Sequence, residues 1–162
     1  MLFSIPDGCA NITIILRMAS QEKLDQTYMR MAQELAKLSH ANRKKVGCLI
    51  VKDTQIISEG YNGTPKGFDN ECEYYNYLDE IHTKPEVLHA ESNAITKLAK
   101  STNSSVDATL YVTLAPCFNC SKLIIQSDIS RVVFKDNYEP NGLDLLDKAG
   151  IKFNQENLHE NI

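Results

Sequence analysis

Residues 108–134 read ATLYVTLAPCFNCSKLIIQSDISRVVF, and this stretch decides the fold. It begins with β-branched and aromatic residues over 108–114, continues with a helix-like segment over 117–127, and ends with an apolar strand over 131–134. A strand, a helix and a strand in this order form a right-handed crossover that makes the two strands parallel. The stretch therefore predicts an α/β protein whose sheet contains parallel strands.

The sequence on either side continues this alternation. Two β-rich runs lie upstream, close enough together to form an antiparallel hairpin. With the crossover strands they predict a mixed sheet that has helices on both faces. The Tyr-rich stretch over 71–86 has no clear period and is expected to be irregular. The further predicted elements are helices over 20–39, 89–100 and 142–149 and strands over 46–51, 55–60 and 151–153.

Length and charge restrict the classes of protein that remain. The chain has 162 residues, of which 43% are hydrophobic and 23% charged, as expected for one soluble globular domain. We expect this domain over 18–162, with 1–17 as an N-terminal extension or flexible arm. The net charge of -4 and a single dense basic run, Arg43-Lys44-Lys45, disfavour a groove for polymeric nucleic acid.

The cysteine count indicates a reducing environment. Five cysteines, an odd number, in a chain long enough to build its own core argue against a disulfide scaffold. The apolar run over 12–16 is too short to span a membrane and lacks the basic start of a signal peptide. We therefore expect an intracellular, cytoplasmic protein with no membrane partner.

Two short motifs at the starts of consecutive predicted helices together predict a metal site. They are His-Ala-Glu over 89–91 and Pro-Cys-Phe-Asn-Cys over 116–120. Cys117 and Cys120 are three residues apart on a first helical turn, which places both sulfurs on one face. Tetrahedral Zn²⁺ accepts thiolate sulfur and neutral imidazole together, so His89 is the natural third ligand.

Glu91 distinguishes a catalytic site from a structural one. If His89 lies at the very start of its helix, Glu91 lies beside the ion without binding it. Three protein ligands leave one position for water, whose pKa zinc lowers towards about 7. A carboxylate next to that water can take its proton and deliver it to a ring nitrogen and a departing amine. The predicted chemistry is hydrolytic deamination with Glu91 as the catalytic residue.

Two other interpretations of the cysteine pair stay open. A strand followed by Pro-Cys-x-x-Cys at a helix start also occurs in thioredoxin-like redox sites, although the motif over 89–91 has no role there. A structural zinc site would need a fourth protein ligand, for which Cys48, Cys72 and His82 are candidates. That interpretation leaves Glu91 unexplained.

A wider set of motifs resembles one enzyme family. His-x-Glu followed by Pro-Cys-x-x-Cys resembles the signature of zinc-dependent nucleoside and nucleobase deaminases. The loop Gly-Tyr-Asn-Gly-Thr-Pro-Lys-Gly over 60–67 is similar to that of deoxycytidylate (dCMP) deaminases, and so are the segments over 89–95, 110–117 and 122–127. The similarity covers the chain from about 32 to 153, which identifies it by resemblance as a member of the cytidine deaminase-like superfamily.

The resemblance implies a fold and a reaction. The fold is a three-layer α/β/α sandwich with a mixed five-stranded sheet. The reaction converts dCMP and water to dUMP and ammonia, so the chain would be a hydrolase that supplies dUMP for dTMP synthesis. In this family zinc is held by residues that match His89, Cys117 and Cys120, and the proton shuttle matches Glu91.

The resemblance also implies contacts with the substrate. Asn62 matches an asparagine that contacts the sugar or base, Tyr138 matches a tyrosine near the substrate, and backbone groups near Ala90 and Ala115 match those that read the pyrimidine edge. A phosphate would meet Arg43, Lys44 or Lys45 of the basic run. The residues alone allow other roles: Asn62 supporting a left-handed turn, Tyr138 capping the core, and the basic run forming a solvated face.

The glycine-rich loop is associated with regulation in this family. It carries an allosteric nucleotide site at a subunit boundary, where dCTP with Mg²⁺ activates and dTTP inhibits. Glycine backbone amides suit phosphate binding. Family members commonly form symmetric oligomers, so we expect a homo-oligomer, with a hexamer favoured. The residues that match the allosteric site are Gly60, Tyr61, Asn62, Gly63 and Gly67.

One departure from the family concerns a second zinc. Some members carry a structural zinc built from cysteines at the end of the first helix and in the loop after Gly-Tyr-Asn-Gly, together with histidines. Cys72 and His82 match such ligands, but the segment over 39–43 contains no cysteine. We therefore expect one catalytic zinc per chain.

Two further functions stay open. One is deamination of another substrate, such as dCTP, free cytidine or an adenosine in tRNA, although a tRNA substrate would require a basic surface. The other is a non-catalytic nucleotide sensor that uses the loop over 60–67 and has no need of Glu91.

Overall fold

The structure is a computed structural model that describes residues 19–157. The expected extension over 1–17 lies outside this part of the chain. Within 19–157, no helix has the length and apolarity needed to cross a membrane. In chain order the elements are α1 (Gln21–Ala36), β1 (Gly47–Lys52), β2 (Gln55–Tyr61), β3 (Glu73–Tyr75), β4 (Ile81–Thr83), α2 (Ala90–Leu98), β5 (Thr109–Leu114), α3 (Phe118–Gln126), β6 (Arg131–Asp136), α4 (Leu143–Lys148) and β7 (Lys152–Gln155).

Five strands form one mixed sheet in the order β2-β1-β5-β6-β7. β1 pairs antiparallel with β2 and β5, whereas β5 with β6 and β6 with β7 are parallel pairs. Each parallel pair is joined through one helix, α3 or α4, as expected for crossover connections. The predicted mixed five-stranded sheet is confirmed, and the differences lie at element ends, where α1 is shorter than the predicted helix over 20–39.

The helices cover the two faces of the sheet unequally. Within residues 19–157, α1 is the one helix on the first face, where Met29 and Ala32 share a buried cluster with Tyr111. α2, α3 and α4 pack on the other face, where Ala94 and Ile124 belong to a larger cluster. Strand side chains alternate between the two clusters because successive residues of a strand point to opposite faces. The predicted three-layer arrangement is therefore present.

A buried polar network ties α1 to the sheet. The Asp25 carboxylate, in a residue 4% exposed, accepts hydrogen bonds from the Tyr111 hydroxyl at 2.7 Å and from the Arg131 guanidinium at 2.8 and 2.6 Å. Gln21 donates to the same carboxylate at 2.8 Å, and Arg131 also donates to Asn154 on β7 at 2.7 Å. Burial raises the pKa of Asp25, but these hydrogen bonds outweigh it, so the pKa lies below the ordinary value. The sequence did not indicate this network.

The stretch over 71–86 contains regular structure, so the prediction that it is irregular was wrong. β3 and β4 form an antiparallel hairpin in which Tyr74 lies opposite His82. The Asn76 side chain accepts a hydrogen bond from the Glu80 N–H at 3.0 Å across the turn. Each strand has three residues, too few to show a two-residue period in the sequence.

Candidate active site

Three potential metal ligands meet at the N-terminal ends of α2 and α3. His89 is the N-cap of α2 and Cys117 is the N-cap of α3, both with extended backbone, and Cys120 lies in the first turn of α3. α2 approaches the sheet closely because residue 60 is glycine: a Cβ at Gly60 would lie 2.4 Å from the Ala90 carbonyl oxygen. The two helix starts are thus brought side by side, and their positive ends favour thiolates.

The donor atoms of these residues fit a tetrahedral zinc ion. His89 Nδ1 lies 3.4 Å from Cys117 Sγ and 3.5 Å from Cys120 Sγ, and the three donor atoms lie within 4.8 Å of one another. Bonds of about 2.3 Å to sulfur and about 2.1 Å to nitrogen at a tetrahedral angle separate sulfur and nitrogen by about 3.6 Å. Among residues 19–157, no fourth histidine, cysteine or acidic residue joins this group.

The two thiols of this group differ electrostatically. A hydrogen bond from the Cys120 thiol, supported by His89 and by the Cys120 backbone N–H, holds the pKa of Cys117 well below its usual range. The same hydrogen bond, together with burial, raises the pKa of Cys120. The hydrogen bond to Cys117 raises the pKa of His89. The lowered pKa favours the thiolate form of Cys117, which is the form that binds metal ions.

Glu91 lies next to the metal group and is not part of it. It is the second residue of α2 and is 3% exposed. Burial raises the pKa of its carboxyl to about 7, while the charge on His89 opposes this rise. A buried carboxyl with a raised pKa beside a group of metal-binding side chains is typical of functional sites.

A cavity of about 260 Å³ opens onto these residues. The buried Ala90 and Glu91 lie at its inner end, and the exposed Arg43 and Lys44 lie at its mouth. The cavity is lined by Arg43, Lys44, Val46, Asn62, Glu73, Thr83, Val87, His89, Ala90, Glu91, Leu114, Ala115, Cys117 and Tyr138. It combines a reactive inner end with a cationic mouth, an arrangement that suits a small anionic ligand.

Residues 22–136 match the family described as the cytidine and deoxycytidylate deaminase zinc-binding region. The chain belongs to this family. The match includes all three potential metal ligands and Glu91. The resemblance inferred from the motifs is thereby confirmed, and the thioredoxin-like interpretation of the cysteine pair is wrong.

Several relatives carry deoxycytidylate deaminase as their name. The protein from Saccharomyces cerevisiae is 35% identical over 81% of this chain and 44% of its own length, and that from Enterobacteria phage T4 is 31% identical over 83% and 96%. The crystal structure of dCMP deaminase from cyanophage S-TIM5 in complex with dCMP and dUMP is similar with a TM-score of 0.78, 36% identity and coverage of 85% and 98%. The chain spans about half the length of the yeast and nematode relatives it matches, 44% and 58%.

Asn62 lines the cavity, and its side chain also organises the cavity wall. Its Oδ1 accepts a hydrogen bond from the Val46 N–H at 2.8 Å, and its Nδ2 donates to the Lys44 carbonyl at 2.8 Å. The Asn62 carbonyl accepts from the Ser39 hydroxyl at 2.8 Å. Asn62 does not have the positive φ of a left-handed turn; Gly67 does, with φ of 97°. The side chain therefore fixes the segment that carries Lys44.

Tyr138 and Ala115 also line the cavity. Burial first, and then the negative charges of Cys117 and Glu91, raise the pKa of Tyr138 to about 12. Tyr138 packs against the core cluster beside α2, so its core and cavity positions coincide. The Ala115 N–H donates to the Asp136 carbonyl at 2.8 Å.

Lys45 lies away from this cavity, in contrast to the expectation that it joins Arg43 there. It lines a neighbouring cavity of about 310 Å³ that shares Lys44, Val46 and Leu114 with the first. Lys44 lines both cavities, whereas Lys45 lines the second and not the first. The second cavity also contains the side chains of Lys37 and Lys135.

The residues predicted for an allosteric nucleotide divide into two sets. Tyr61, Asn62 and Gly63 line a third cavity, of about 360 Å³, together with Lys66 and Lys97. Gly60 and Gly67 are not in this lining. Gly60 lies under α2, where its missing Cβ permits close packing, so its role in the fold is structural.

Cys72 and His82 match ligands of the second zinc site found in some family members. In this structure their side chains have different surroundings. Cys72 is 1% exposed and packs in a small apolar cluster with Ala41 and Val87. His82 stacks on Tyr74, with ring centroids 5.7 Å apart. Ala41 thus lies beside Cys72 at the helix end that lacks a cysteine.

Glu73 and Thr83 are cavity residues that the sequence did not indicate. Both lie on the β3–β4 hairpin, whose short strands carry no periodic signal. Only the folded position of the hairpin, across the mouth of the cavity, brings them to the site.

Proposed function

We propose that the chain catalyses the zinc-dependent hydrolytic deamination of dCMP to dUMP and ammonia and so supplies dUMP for dTMP synthesis. One observation carries the proposal: buried Glu91 lies beside a three-donor metal group in a cavity with a cationic mouth. The names of the yeast and phage relatives support the choice of substrate, as does the similar structure that contains dCMP and dUMP.

In this proposal the three donor residues hold one zinc ion per chain, which supplies the chemistry of lowering the pKa of a coordinated water towards about 7. Glu91 accepts a proton from the attacking water at its carboxylate and donates it to the ring nitrogen. It then carries a second proton, from the hydroxyl newly added to the ring carbon, to the departing amine. Glu91 is 3% exposed, so its carboxyl has little contact with bulk water. His89 and Cys117, as N-caps, are held in place by helix backbone.

We assign recognition of the pyrimidine to the backbone at the inner end of the cavity. Ala90 begins α2, so its N–H has no acceptor within the helix and can donate to a base oxygen. The Ala115 carbonyl can accept from an exocyclic amine, since the Ala115 N–H is already bonded to Asp136. Tyr138 lies along the same wall and supplies an aromatic surface for the base.

We assign the 5′-phosphate to the mouth of the cavity. Arg43 and Lys44 are exposed there and carry the positive charge that a nucleotide requires. Asn62 holds the Lys44 backbone, and its second amide hydrogen remains to meet the sugar. With these assignments, the base of the nucleotide lies at the metal group and its phosphate lies at the basic mouth.

A second candidate substrate is dCTP. The neighbouring cavity with Lys37, Lys45 and Lys135 adjoins the first cavity at Lys44, and its charge suits a longer phosphate chain. This cavity is the observation that favours dCTP. A non-catalytic sensor lacks such support, since it gives no role to a buried Glu91.

We also propose regulation by dCTP with Mg²⁺ as activator and dTTP as inhibitor. The third cavity supports it, because Lys66 and Lys97 offer positive charge beside the backbone of Gly63. A homo-oligomer, with a hexamer favoured, fits a regulatory site at a subunit boundary. The four described cysteines are free, and metal-binding thiols must stay reduced, which supports a reducing, cytoplasmic location.

Ammonia release from dCMP, dCTP, cytidine and deoxycytidine by the zinc-loaded protein tests these proposals. We expect dCMP to be the best substrate. Faster release from dCTP would replace dCMP by the second candidate, and no release from any of the four would favour the sensor. Adding dCTP and then dTTP to the dCMP assay tests regulation, and no response to either would remove that proposal.

A further inference from the structure

The β3–β4 hairpin contacts the mouth of the candidate cavity with one residue from each strand. The Glu73 carboxylate on β3 accepts hydrogen bonds from the backbone N–H groups of Asn42 at 3.1 Å and Arg43 at 3.2 Å. The Thr83 hydroxyl on β4 accepts one from the Arg43 guanidinium at 3.1 Å. The hairpin therefore holds both the backbone and the side chain of Arg43.

The segment that carries Arg43 requires such support. It lies in the connection between α1 and β1, which has no helix or strand of its own. Arg43 is exposed, and an exposed arginine has many rotamers that must be restricted before it can hold a ligand. Fixing it in advance reduces the entropy lost on binding. Asn62 supports the next residues, Lys44 and Val46, so Arg43 depends on the hairpin.

The base of the hairpin is itself anchored. Lys84 N–H donates to the Cys72 carbonyl at 2.9 Å, and the Cys72 side chain is buried against Ala41 and Val87. Ala41 precedes the contacts of Glu73 by one residue, so the apolar cluster docks the hairpin on the segment that it supports. A two-stranded hairpin is marginally stable alone, and this docking provides the missing packing.

We propose that Glu73 and Thr83 are positioning residues that fix Arg43 for the phosphate of the substrate, and that the hairpin thereby contributes to selection of phosphorylated over unphosphorylated ligands. This inference rests on the proposed function. The phosphate contacts Arg43, and the hairpin residues act through it.

Because Glu73 is acidic, the proposal predicts a definite direction for the change in substrate binding when Glu73 is replaced. If the Glu73 carboxylate mainly repelled or displaced the phosphate, its removal would strengthen substrate binding. If it positions Arg43, removal of its hydrogen bonds weakens binding. Glu73→Gln keeps an acceptor oxygen but no charge, whereas Glu73→Ala removes both. The two variants therefore separate repulsion from positioning.

Steady-state kinetics with dCMP on the zinc-loaded protein provides the first test. We expect Thr83→Val and Glu73→Ala each to raise KM by about tenfold or more. Each variant removes hydrogen bonds that hold the Arg43 segment, and one hydrogen bond involving a charged group contributes about that factor. We expect kcat to change by less than about twofold, because the inner end of the cavity is untouched. The conservative variants Thr83→Ser and Glu73→Gln should keep a KM close to that of the original chain.

Glu80→Gln is the matched control on the same hairpin. Its carboxylate contacts Asn76 at 2.7 Å and does not touch the Arg43 segment. We expect an unchanged KM. Thermal unfolding of every variant shows whether it is folded.

A double-mutant cycle with Arg43→Ala separates positioning from general structure. In the Arg43→Ala background, Thr83→Val should have no further effect on KM, because its partner is absent. The same tenfold rise in both backgrounds, a fall in kcat without a rise in KM, or a lower KM in both Glu73 variants would overturn the inference. Failure of the original chain to release ammonia from dCMP would instead overturn the proposed function and this inference with it.

Discussion

The two ends of the candidate cavity are built in different ways. At the inner end, His89 and Cys117 are N-caps of helices that pack on the main core cluster. At the mouth, Arg43 lies on a connection without regular structure and is held by the hydrogen bonds that it donates to Glu73 and Thr83. Backbone and core thus define the reactive end, whereas a few polar contacts define the binding end. Substitutions at the two ends should therefore affect different kinetic constants.

We expect metal removal to have the largest effect, because it disables the whole inner end of the cavity. A chelator should abolish ammonia release and lower Tm, because the ion binds only the folded chain. Readdition of zinc should restore both. Metal analysis of the untreated protein should give one zinc per chain. Full activity after complete zinc removal would contradict the assignment of His89, Cys117 and Cys120, and two tightly held ions would contradict the one-zinc expectation.

The Glu91→Gln variant should lose the chemical step and keep its zinc. The amide keeps the shape of the carboxylate but cannot accept the proton, so we expect kcat to fall by about 100- to 10,000-fold. Zinc content should stay at the original value because Glu91 is not one of the three donors. Parallel measurement of kcat and zinc content checks both statements.

Glu34→Gln is the matched control for this variant. Glu34 lies exposed on α1, on the opposite side of the sheet, and its ion pair with Lys37 at 2.7 Å is a surface contact. It should leave kcat unchanged. Normal turnover by Glu91→Gln would refute the proposed role of the carboxylate.

The inner end could be predicted from the sequence because its geometry is local. Cys117 and Cys120 are separated by less than one helical turn, and His89 and Glu91 by two residues, so the start of a helix already fixes their relative directions. The parallel pairing of β5 with β6 and of β6 with β7 followed from crossover rules in the same way. Local sequence patterns were therefore sufficient to predict the metal ligands and the parallel strands of the sheet.

The mouth could not be predicted in this way. The contact between Arg43 and Thr83 spans 40 residues, and that between Asp25 and Arg131 spans 106, and no local pattern in either segment indicates the partner. Lys45 shows the same limit. Its positive charge fitted a phosphate site, but the folded backbone places it in the lining of another cavity. Polar contacts over long sequence separations depend on tertiary packing, which periodicity does not contain.

A smaller effect is expected from Asn62→Ala, which weakens the mouth without touching the metal group. The Val46 N–H and the Lys44 carbonyl lose their partner, so we expect KM for dCMP to rise about tenfold and the free energy of unfolding to fall by about 1–3 kcal/mol. Zinc content should not change. Ser58→Ala, on the adjoining strand β2, removes a buried hydrogen bond to the Ala94 carbonyl and should lower stability without raising KM. A rise in KM for both variants would show that β2 stability, not the mouth, controls binding.

The smallest effect on activity is expected from Asp25→Asn, on the face of the sheet that carries neither end of the cavity. Loss of the ion pair with Arg131 should lower the free energy of unfolding by about 2–4 kcal/mol at pH 7, because a partly buried guanidinium is left without its charge partner. Glu22→Gln, an exposed carboxylate on the same helix, should have almost no effect.

The stability difference between the original chain and Asp25→Asn should depend on pH in a direction that follows from the pKa of Asp25. The folded-state pKa of Asp25 lies below its ordinary value of 3.8, so the ionised carboxylate contributes its stability fully above pH 3.8. This contribution is lost as the pH falls through the lower, folded-state pKa, where the carboxylate gains a proton. The difference in unfolding free energy between the original chain and Asp25→Asn, measured at equal zinc loading, should therefore be constant near neutral pH and shrink below pH 3.8. A difference that shrinks near neutral pH would point to a group other than Asp25, while kcat and KM at pH 7 should be unchanged in either case because the network is separated from the cavity by the sheet.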